Sequence, residues 1–214
     1  MPDLHVQPFT LGEWQTNCYV VHAADAKPGD PCWIVDAGFG PQRLIAYVKD
    51  RQLVPTVVLT HAHVDHIAGL AQVRQQFPDC PILIHAAEAE FLTDPDLNLS
   101  SFLDRPVVAP TATGQLQHGD TLPLGPFTFA VRHTPGHSPG GVCLYHQPSG
   151  LAIVGDTLFA SSIGRSDFPT SDEATLHRSI REQLYTLPGE TVVLPGHGPD
   201  TTIAHEMRTN PFVR

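Results

Sequence analysis

The stretch VVLTHAHVDHIAGL, residues 57–70, places three histidines and one aspartate within six residues, directly after an apolar run. The run Val57-Val58-Leu59 has the composition of a buried strand. The polar residues begin where such a strand would pass into a loop, and loops at the ends of rigid elements are where proteins present their chemistry. The segment therefore predicts a metal-binding or catalytic site at the end of a buried strand.

Three later apolar runs are followed by metal-binding residue types in the same way. The runs and the residues after them are 127–131 with His133 and His137, 151–154 with Asp156, and 192–194 with His197. Glycines stand beside these residues, at Gly136, Gly155 and Gly196, where they would let the backbone approach closely. Imidazole nitrogens with a few carboxylate oxygens suit zinc, iron or manganese.

The first loop alone has ligands for two neighbouring metal positions. His61 and His63 are two residues apart, so they project to the same side of an extended backbone. Asp65 and His66 follow after the chain turns and would point to a second position. A lone histidine is more often a surface or hydrogen-bonded core residue, and we interpret His85 in that way, together with His133.

The composition narrows the classes of function. The formal net charge is −10 and no run of Lys or Arg occurs, which argues against binding of a nucleic acid or an anionic membrane. No signal-peptide pattern and no apolar stretch of about 18 residues is present, so we expect a cytoplasmic protein. The four cysteines lack zinc-like spacing and are expected to be reduced and buried.

The chain alternates strand-like and helical patterns from end to end. Predicted strands cover residues 4–6, 18–22, 32–36, 57–59, 82–84, 121–124, 127–133, 142–146, 151–154 and 192–194. Predicted helices cover residues 41–50, 68–76, 86–92, 172–186 and 202–208, and residues 93–113 are irregular. We expect one domain spanning residues 1–214, of the α/β class, with helices outside two packed sheets.

The motifs THAHVDH, TPGHSPG, GDTLF and PGHG together resemble those of the metallo-β-lactamase superfamily, across nearly the whole chain. The resemblance implies an αβ/βα four-layer sandwich. It also implies two divalent metal ions, with zinc preferred over iron or manganese. By position, His61, His63 and His137 would hold one ion, Asp65, His66 and His197 the other, and Asp156 would bridge them. Asp65 would also orient the attacking water.

Within the superfamily, the segment GDTLFASSIGRSDFP (155–169) and the later EMRTNPF look most like compact type II glyoxalases. Those enzymes hydrolyse S-D-lactoylglutathione, so the expected partner is a small thioester derived from glutathione. Arg165 stands where larger members carry a basic residue that contacts glutathione. Two features depart from that pattern: Asp167 stands in place of a tyrosine that holds glutathione, and we expect no counterpart within these 214 residues of the C-terminal helical domain of the larger members.

Other functions are compatible with the same residues. His61, His137 and Asp156 could form the two-histidine, one-carboxylate set of a mononuclear iron persulfide dioxygenase. A non-catalytic metal-binding module is an alternative of another class. A β-lactamase is disfavoured because such members place a cysteine or another non-bridging residue at position 156. The sequence does not specify the oligomeric state, and a monomer is slightly favoured.

Overall fold

The first half of the chain forms a six-stranded mixed sheet. The computed structural model describes residues 3–213, and in it the strands of this sheet lie side by side in chain order: β1 (Leu4–Leu11), β2 (Thr16–Ala23), β3 (Pro31–Val35), β4 (Val54–Val58), β5 (Ile82–His85) and β6 (Gly114–Leu116). Strands β1 to β3 pair antiparallel, and β3 to β6 pair parallel. The loops that follow β3, β4 and β5 therefore leave the sheet at the same edge.

The second half forms another six-stranded sheet. Its chain order is β7 (Thr121–Leu124), β8 (Phe127–His133), β9 (Val142–His146), β10 (Leu151–Gly155), a separate hairpin of β11 (Leu158–Phe159) and β12 (Ser162–Ile163), then β13 (Val192–Pro195) and β14 (Thr201–Thr202). The spatial order in the sheet is β14-β13-β10-β9-β8-β7. Because β9 is antiparallel to both β8 and β10, and β10 is parallel to β13, strands β8, β10 and β13 end at the same edge.

The helices lie outside the two sheets. They are α1 (Gln42–Asp50), α2 (Val64–Ile67), α3 (Leu70–Gln76), α4 (Glu173–Ser179), which continues as a π-helical turn over Ile180–Leu184, and α5 (Ile203–Thr209). Leu44 of α1 and Leu70 of α3 pack on the first sheet, whereas Leu176 of α4 and Ile203 of α5 pack on the second. Among the described residues, no helix is long and apolar enough to cross a membrane.

The two sheets pack face to face through their inner surfaces. Trp33 on β3 meets Phe129 on β8 with ring centroids 4.7 Å apart, inside one buried cluster. On the same strand, Cys32 and Ile34 point the other way into the cluster under α1 and α3, as the two-residue period of a strand requires. Two helix layers outside two sheets make the predicted αβ/βα four-layer sandwich, so that prediction is confirmed. All four cysteines are buried and unpaired, also as predicted.

Several element boundaries differ from the sequence prediction. The helix predicted at 86–92 is two 3₁₀ turns, Ala86–Glu88 and Glu90–Leu92. The irregular segment 93–113 is held by a buried side chain, Asn98, whose amide donates to the carbonyls of Phe91 and Val107. In this segment a side chain, and not regular backbone pairing, satisfies buried backbone carbonyls. Such a segment has no periodic sequence pattern that could predict it.

Candidate metal centre

The structure brings all seven predicted ligands to the shared edge of the two sheets. Those from the first sheet follow β4, and those from the second follow β8, β10 and β13; they are His61, His63, Asp65, His66, His137, Asp156 and His197. The sheets face each other, so the strand ends of one lie opposite those of the other. Most of these side chains are buried, and His197 is the most accessible at 28% exposure.

The ligand atoms of the described residues form three overlapping groups; two of them match the sets that the resemblance implied, and the third, His61, His66 and Asp156, joins those two. The nearest nitrogens of His61, His63 and His137 lie within 4.8 Å of one another. The same limit holds for the set Asp65, His66 and His197. Each set offers three atoms at a spacing that one cation could span.

The carboxylate of Asp156 faces both sets. Its Oδ2 lies 3.5 Å from Nε2 of His137 in one set and 3.5 Å from Nε2 of His197 in the other. Its Oδ1 lies 3.4 Å from Nε2 of His66. Asp156 is therefore placed where one carboxylate could contact two cations.

Among the described residues, three buried atoms of these ligands have no hydrogen-bond partner: Nε2 of His63, Nε2 of His66 and Oδ1 of Asp156. The other ring nitrogen of His63, Nδ1, is the one that lies 2.9 Å from Nε2 of His137 in the first set. Leaving a buried polar atom unpaired costs about 1–3 kcal/mol. A protein rarely tolerates several such atoms in one place unless a ligand satisfies them. The donor set, imidazole nitrogens with carboxylate oxygens, fits divalent zinc, iron or manganese.

Three of the histidines are oriented through their second ring nitrogen. Nδ1 of His66 lies 2.8 Å from Oδ2 of Asp36, and Nδ1 of His137 lies 2.8 Å from the carbonyl oxygen of Arg165. Nδ1 of His197 lies 3.1 Å from the carbonyl oxygen of Trp14. When Nδ1 donates to an oxygen, the lone pair stays on Nε2, which is the tautomer that a metal requires.

Asp36 is a site residue that the sequence prediction missed. It directly follows β3 and has a positive φ of 59°, a conformation uncommon outside glycine. Besides orienting His66, it accepts hydrogen bonds from the backbone N–H and the hydroxyl of Thr60, at 2.8 and 2.7 Å. An aspartate after the apolar run CWIV follows the same pattern as the other ligands, so the signal was present in the sequence.

Burial and charge divide the histidines into two classes. Burial, with the neighbouring histidines, lowers the pKa of His61 well below its usual value and that of His63 to about 3. Burial also opposes the charge of His66, but the carboxylates of Asp65, Asp156 and Asp36 outweigh it and raise that pKa well above normal. His61 and His63 are therefore neutral and ready to bind a cation, whereas a cation at His66 must displace a proton.

His197 of the second set and the neighbouring Asp156 carry the matching shifts. Burial opposes protonation of His197, yet the hydrogen bonds that it donates to the carboxylates of Asp156 and Asp65 raise its pKa to about 9. For Asp156, burial favours the neutral form, but the charge of His66 and the bond to His197 lower the pKa well below normal. In the absence of a cation, these shifts favour charged imidazoles beside charged carboxylates in this part of the site.

Gly196 allows the closest approach in the site. A Cβ atom at this position would lie 2.0 Å from Oδ1 of Asp156 and 2.8 Å from Cε1 of His66. Both distances are shorter than real Cβ contacts allow, so any side chain at position 196 would displace the carboxylate. The close approach expected for this glycine from the sequence is what the structure has.

Five members of the cluster line one side of a cavity of about 380 Å³; they are His63, Asp65, His137, Asp156 and His197. The walls are mainly apolar and aromatic, from Trp14, Val64, Leu99, Phe102, Phe159 and Phe168. Trp14 and Phe102 are 42% and 70% exposed, and their rings stack with centroids 6.3 Å apart. The cavity is therefore open to solvent and can admit a small molecule with an apolar portion.

Arg165, the predicted substrate-binding residue, lines this cavity but already has an ionic partner. Its Nε and Nη2 donate to the two carboxylate oxygens of Asp167, at 2.9 and 2.8 Å. Its guanidinium carbon also lies 4.4 Å from the ring centroid of Phe168. Both ionic side chains are 67% exposed, so solvent weakens the pair. The residue that replaces the glutathione-binding tyrosine thus offsets part of the charge of Arg165.

Comparison with known proteins agrees with this geometry. Residues 11–197 match the family model of the metallo-β-lactamase superfamily. The chain belongs to the metallo-β-lactamase superfamily. Its relatives include the probable metallo-hydrolase YqgX of Bacillus subtilis, 40% identical over 205 residues that cover 95% of this chain and 94% of the relative. The hydroxyacylglutathione hydrolase GloC of Haemophilus influenzae is 30% identical over 213 residues, 98% of each chain.

Solved structures of the superfamily are similar over nearly the whole chain. The BLEG-1 B3 metallo-β-lactamase is 42% identical with a TM-score of 0.90, covering 98% of this chain and 99% of that one. TTHA1623 in a di-iron-bound form is 36% identical with a TM-score of 0.85, covering 97% and 100%. Membership of the superfamily implies a metallo-hydrolase that binds divalent cations, here at a histidine-rich candidate site, and the di-iron form of TTHA1623 leaves the identity of the metal open.

Proposed function

We propose that the protein is a metal-dependent thioester hydrolase that acts on S-D-lactoylglutathione or a related hydroxyacylglutathione. The observation that carries the proposal is the cluster of seven ligands, with three buried atoms unpaired among the described residues, five members of which line an open cavity. The relationship to the hydroxyacylglutathione hydrolase GloC supports the substrate class. A thioester suits the site because its carbonyl is electrophilic and its thiolate leaves without much help from an acid.

In this proposal His61, His63 and His137 would hold one cation, Asp65, His66 and His197 would hold a second, and Asp156 would serve both. We favour zinc, with iron or manganese as alternatives. Bound divalent cations lower the pKa of water toward 7 and stabilise a developing oxyanion.

The protein itself contributes orientation and shielding. Asp65 lines the cavity, and its Oδ2 accepts a hydrogen bond from the hydroxyl of Thr16 at 2.8 Å, which fixes the carboxylate. The fixed carboxylate can accept a hydrogen bond from a water molecule and so orient that water. Phe159 and Phe168 exclude bulk water from two walls of the cavity, which strengthens the electrostatic interactions inside.

The function is tested by measuring metal content and activity on the same purified sample. We expect two cations per chain, hydrolysis of S-D-lactoylglutathione, loss of that hydrolysis after exhaustive chelation, and its return when zinc, iron or manganese is added back. Full activity after chelation would refute the proposal. Cations retained without any hydrolytic activity would support the metal-binding module instead.

Two other activities are tested beside it. The similarity to the BLEG-1 B3 metallo-β-lactamase makes a β-lactam the second substrate to assay, even though Asp156 argued against that activity. A chromogenic cephalosporin would detect it. A mononuclear iron persulfide dioxygenase would instead contain one iron per chain and consume oxygen with glutathione persulfide.

The pair of Arg165 and Asp167 gives a prediction about glutathione binding. Replacing Arg165 by Ala removes a cation from the cavity wall, so we expect KM for a glutathione thioester to rise about five-fold, as for a solvent-exposed charge, with kcat nearly unchanged. Asp167→Asn frees the guanidinium and should lower KM by a similar factor. Steady-state kinetics check both variants, and an unchanged KM in both would assign the pair a structural role only.

A further inference from the structure

Glu88 is a buried acid to which neither the proposed chemistry nor the motifs assign a role. It ends the 3₁₀ turn Ala86–Glu88 that follows β5, and its side chain is fully buried. Burial raises the pKa of its carboxyl group. Keeping an acid in such a place is costly unless its oxygens are well hydrogen-bonded.

The two oxygens of Glu88 accept short hydrogen bonds from two different loops. Oε2 accepts from the backbone N–H of Ala62 at 2.5 Å, and Ala62 stands between His61 and His63. Oε1 accepts from the backbone N–H of Gly140 at 2.6 Å, in the loop that carries His137. One carboxylate therefore ties together the two segments that provide all three ligands of the first set.

The two loops belong to different sheets. The segment of Ala62 follows β4 of the first sheet, and the loop of Gly140 connects β8 to β9 in the second. Next to this junction, His85 at the end of β5 and His133 at the end of β8 stack with ring centroids 4.0 Å apart and an interplanar angle of 8°. Glu88 thus connects loops of the two sheets, close to the place where the stacked rings of His85 and His133 bring the sheets into contact.

Gly140 is adapted to this contact. A Cβ atom there would lie 2.9 Å from Cγ and 3.1 Å from Oε1 of Glu88. The absence of a side chain lets the carboxylate reach the backbone N–H directly.

We propose that Glu88 is a positioning residue for the first cation: it fixes the separation between the His61–His63 segment and the His137 loop. The proposal rests on the proposed metal site but not on the identity of the substrate. Outer partners that orient metal ligands typically contribute 10- to 100-fold to metal affinity. Losing the two hydrogen bonds that Glu88 accepts should therefore weaken cation binding at the first set and leave the second set unchanged.

The test compares Glu88→Gln with a matched variant, Glu206→Gln. Glu206 is also fully buried and accepts hydrogen bonds from the N–H of Ser161 and the amide of Asn210, away from the first set. Each change replaces a buried carboxylate by an amide of the same shape. Affinity for Zn²⁺ and Co²⁺ is measured by competition with a chelator, the Co²⁺ absorption spectrum reports ligand geometry, and urea unfolding reports stability.

We expect Glu88→Gln to bind one of the two cations about 10- to 100-fold more weakly and to alter the Co²⁺ spectrum. Glu206→Gln should lose stability but keep wild-type affinity and spectrum. Equal losses of stability with unchanged affinity and spectrum in Glu88→Gln would overturn the proposal. Glu88→Asp, which keeps the charge but cannot span both amides, is the second variant if Glu88→Gln does not fold, and the same criteria apply. Because metal binding is measured directly, a protein that fails to hydrolyse thioesters can still support or refute the role of Glu88.

Discussion

Replacing His63 by Ala should reduce kcat/KM for the thioester at least about 1,000-fold, because removing a ligand of the first set removes several kcal/mol of cation-dependent stabilisation. His63 is 3% exposed, and its Nε2 has no hydrogen-bond partner among the described residues. Burial keeps its pKa at about 3, so the variant loses a neutral side chain and leaves no unpaired charge behind. The fold should therefore persist.

The measurement combines metal analysis, steady-state kinetics and circular dichroism. We expect the cation content of His63→Ala to fall below two per chain, since the first set then keeps only His61 and His137 beside the shared Asp156 and binds its cation more weakly. His118→Ala is the control: this histidine is exposed, and its Nδ1 accepts only a backbone hydrogen bond, from the N–H of His133 at 3.2 Å. Turnover near the wild-type rate in His63→Ala would show that the assignment of the first set is wrong.

Gly196→Ala should lower kcat/KM by about 100-fold through a single methyl group, the loss typical of a displacement of about 1 Å at a catalytic group. The new Cβ would lie 2.0 Å from Oδ1 of Asp156, so the carboxylate that faces both ligand sets must move. Because the collision involves the carboxylate itself, we expect cation affinity to fall together with the rate.

Gly198→Ala is the matched control in the same loop. No atom of residues 3–213 lies within 4 Å of a Cβ at position 198, although the positive φ of 74° makes an alanine there strained. This variant should lose about 1 kcal/mol of stability and keep its cations and its activity. If Gly196→Ala retained wild-type cation affinity and wild-type kcat/KM, the close approach of the loop after β13 to Asp156 would not be required for function.

The fold was predictable from the sequence because its signals are local. Apolar runs with strand composition and amphipathic helical segments alternate along the chain, and each is a property of neighbouring residues. The predicted strands and helices accordingly correspond to most observed elements. The motif resemblance then supplied the four-layer arrangement, which short-range patterns alone would have left as a mixed α/β fold.

The segment after β5 was harder to predict for a physical reason. Its two 3₁₀ turns and the irregular stretch over residues 93–113 lack a sustained period. They are fixed instead by individual buried side chains: Asn98 bonds to Phe91 and Val107 within the segment, and Glu88 bonds to Ala62 and Gly140 outside it. Only the folded chain shows which backbone groups those side chains reach.

The residues that could bind cations are evident from the amino-acid sequence, because HAHVDH and the three later residues at strand ends have the side chains and the spacing of metal ligands. Their positions, orientations and hydrogen-bond partners depend on the tertiary structure. In the folded chain the strand ends of two sheets lie at one edge, and a hydrogen bond to Asp36 orients the ring of His66. Glu88 connects two loops, and Arg165 forms an ion pair with Asp167. These contacts depend on distances between residues far apart in the chain or on the direction of single side chains. A linear pattern carries the types of residues, whereas the packing of the sheets determines their separations.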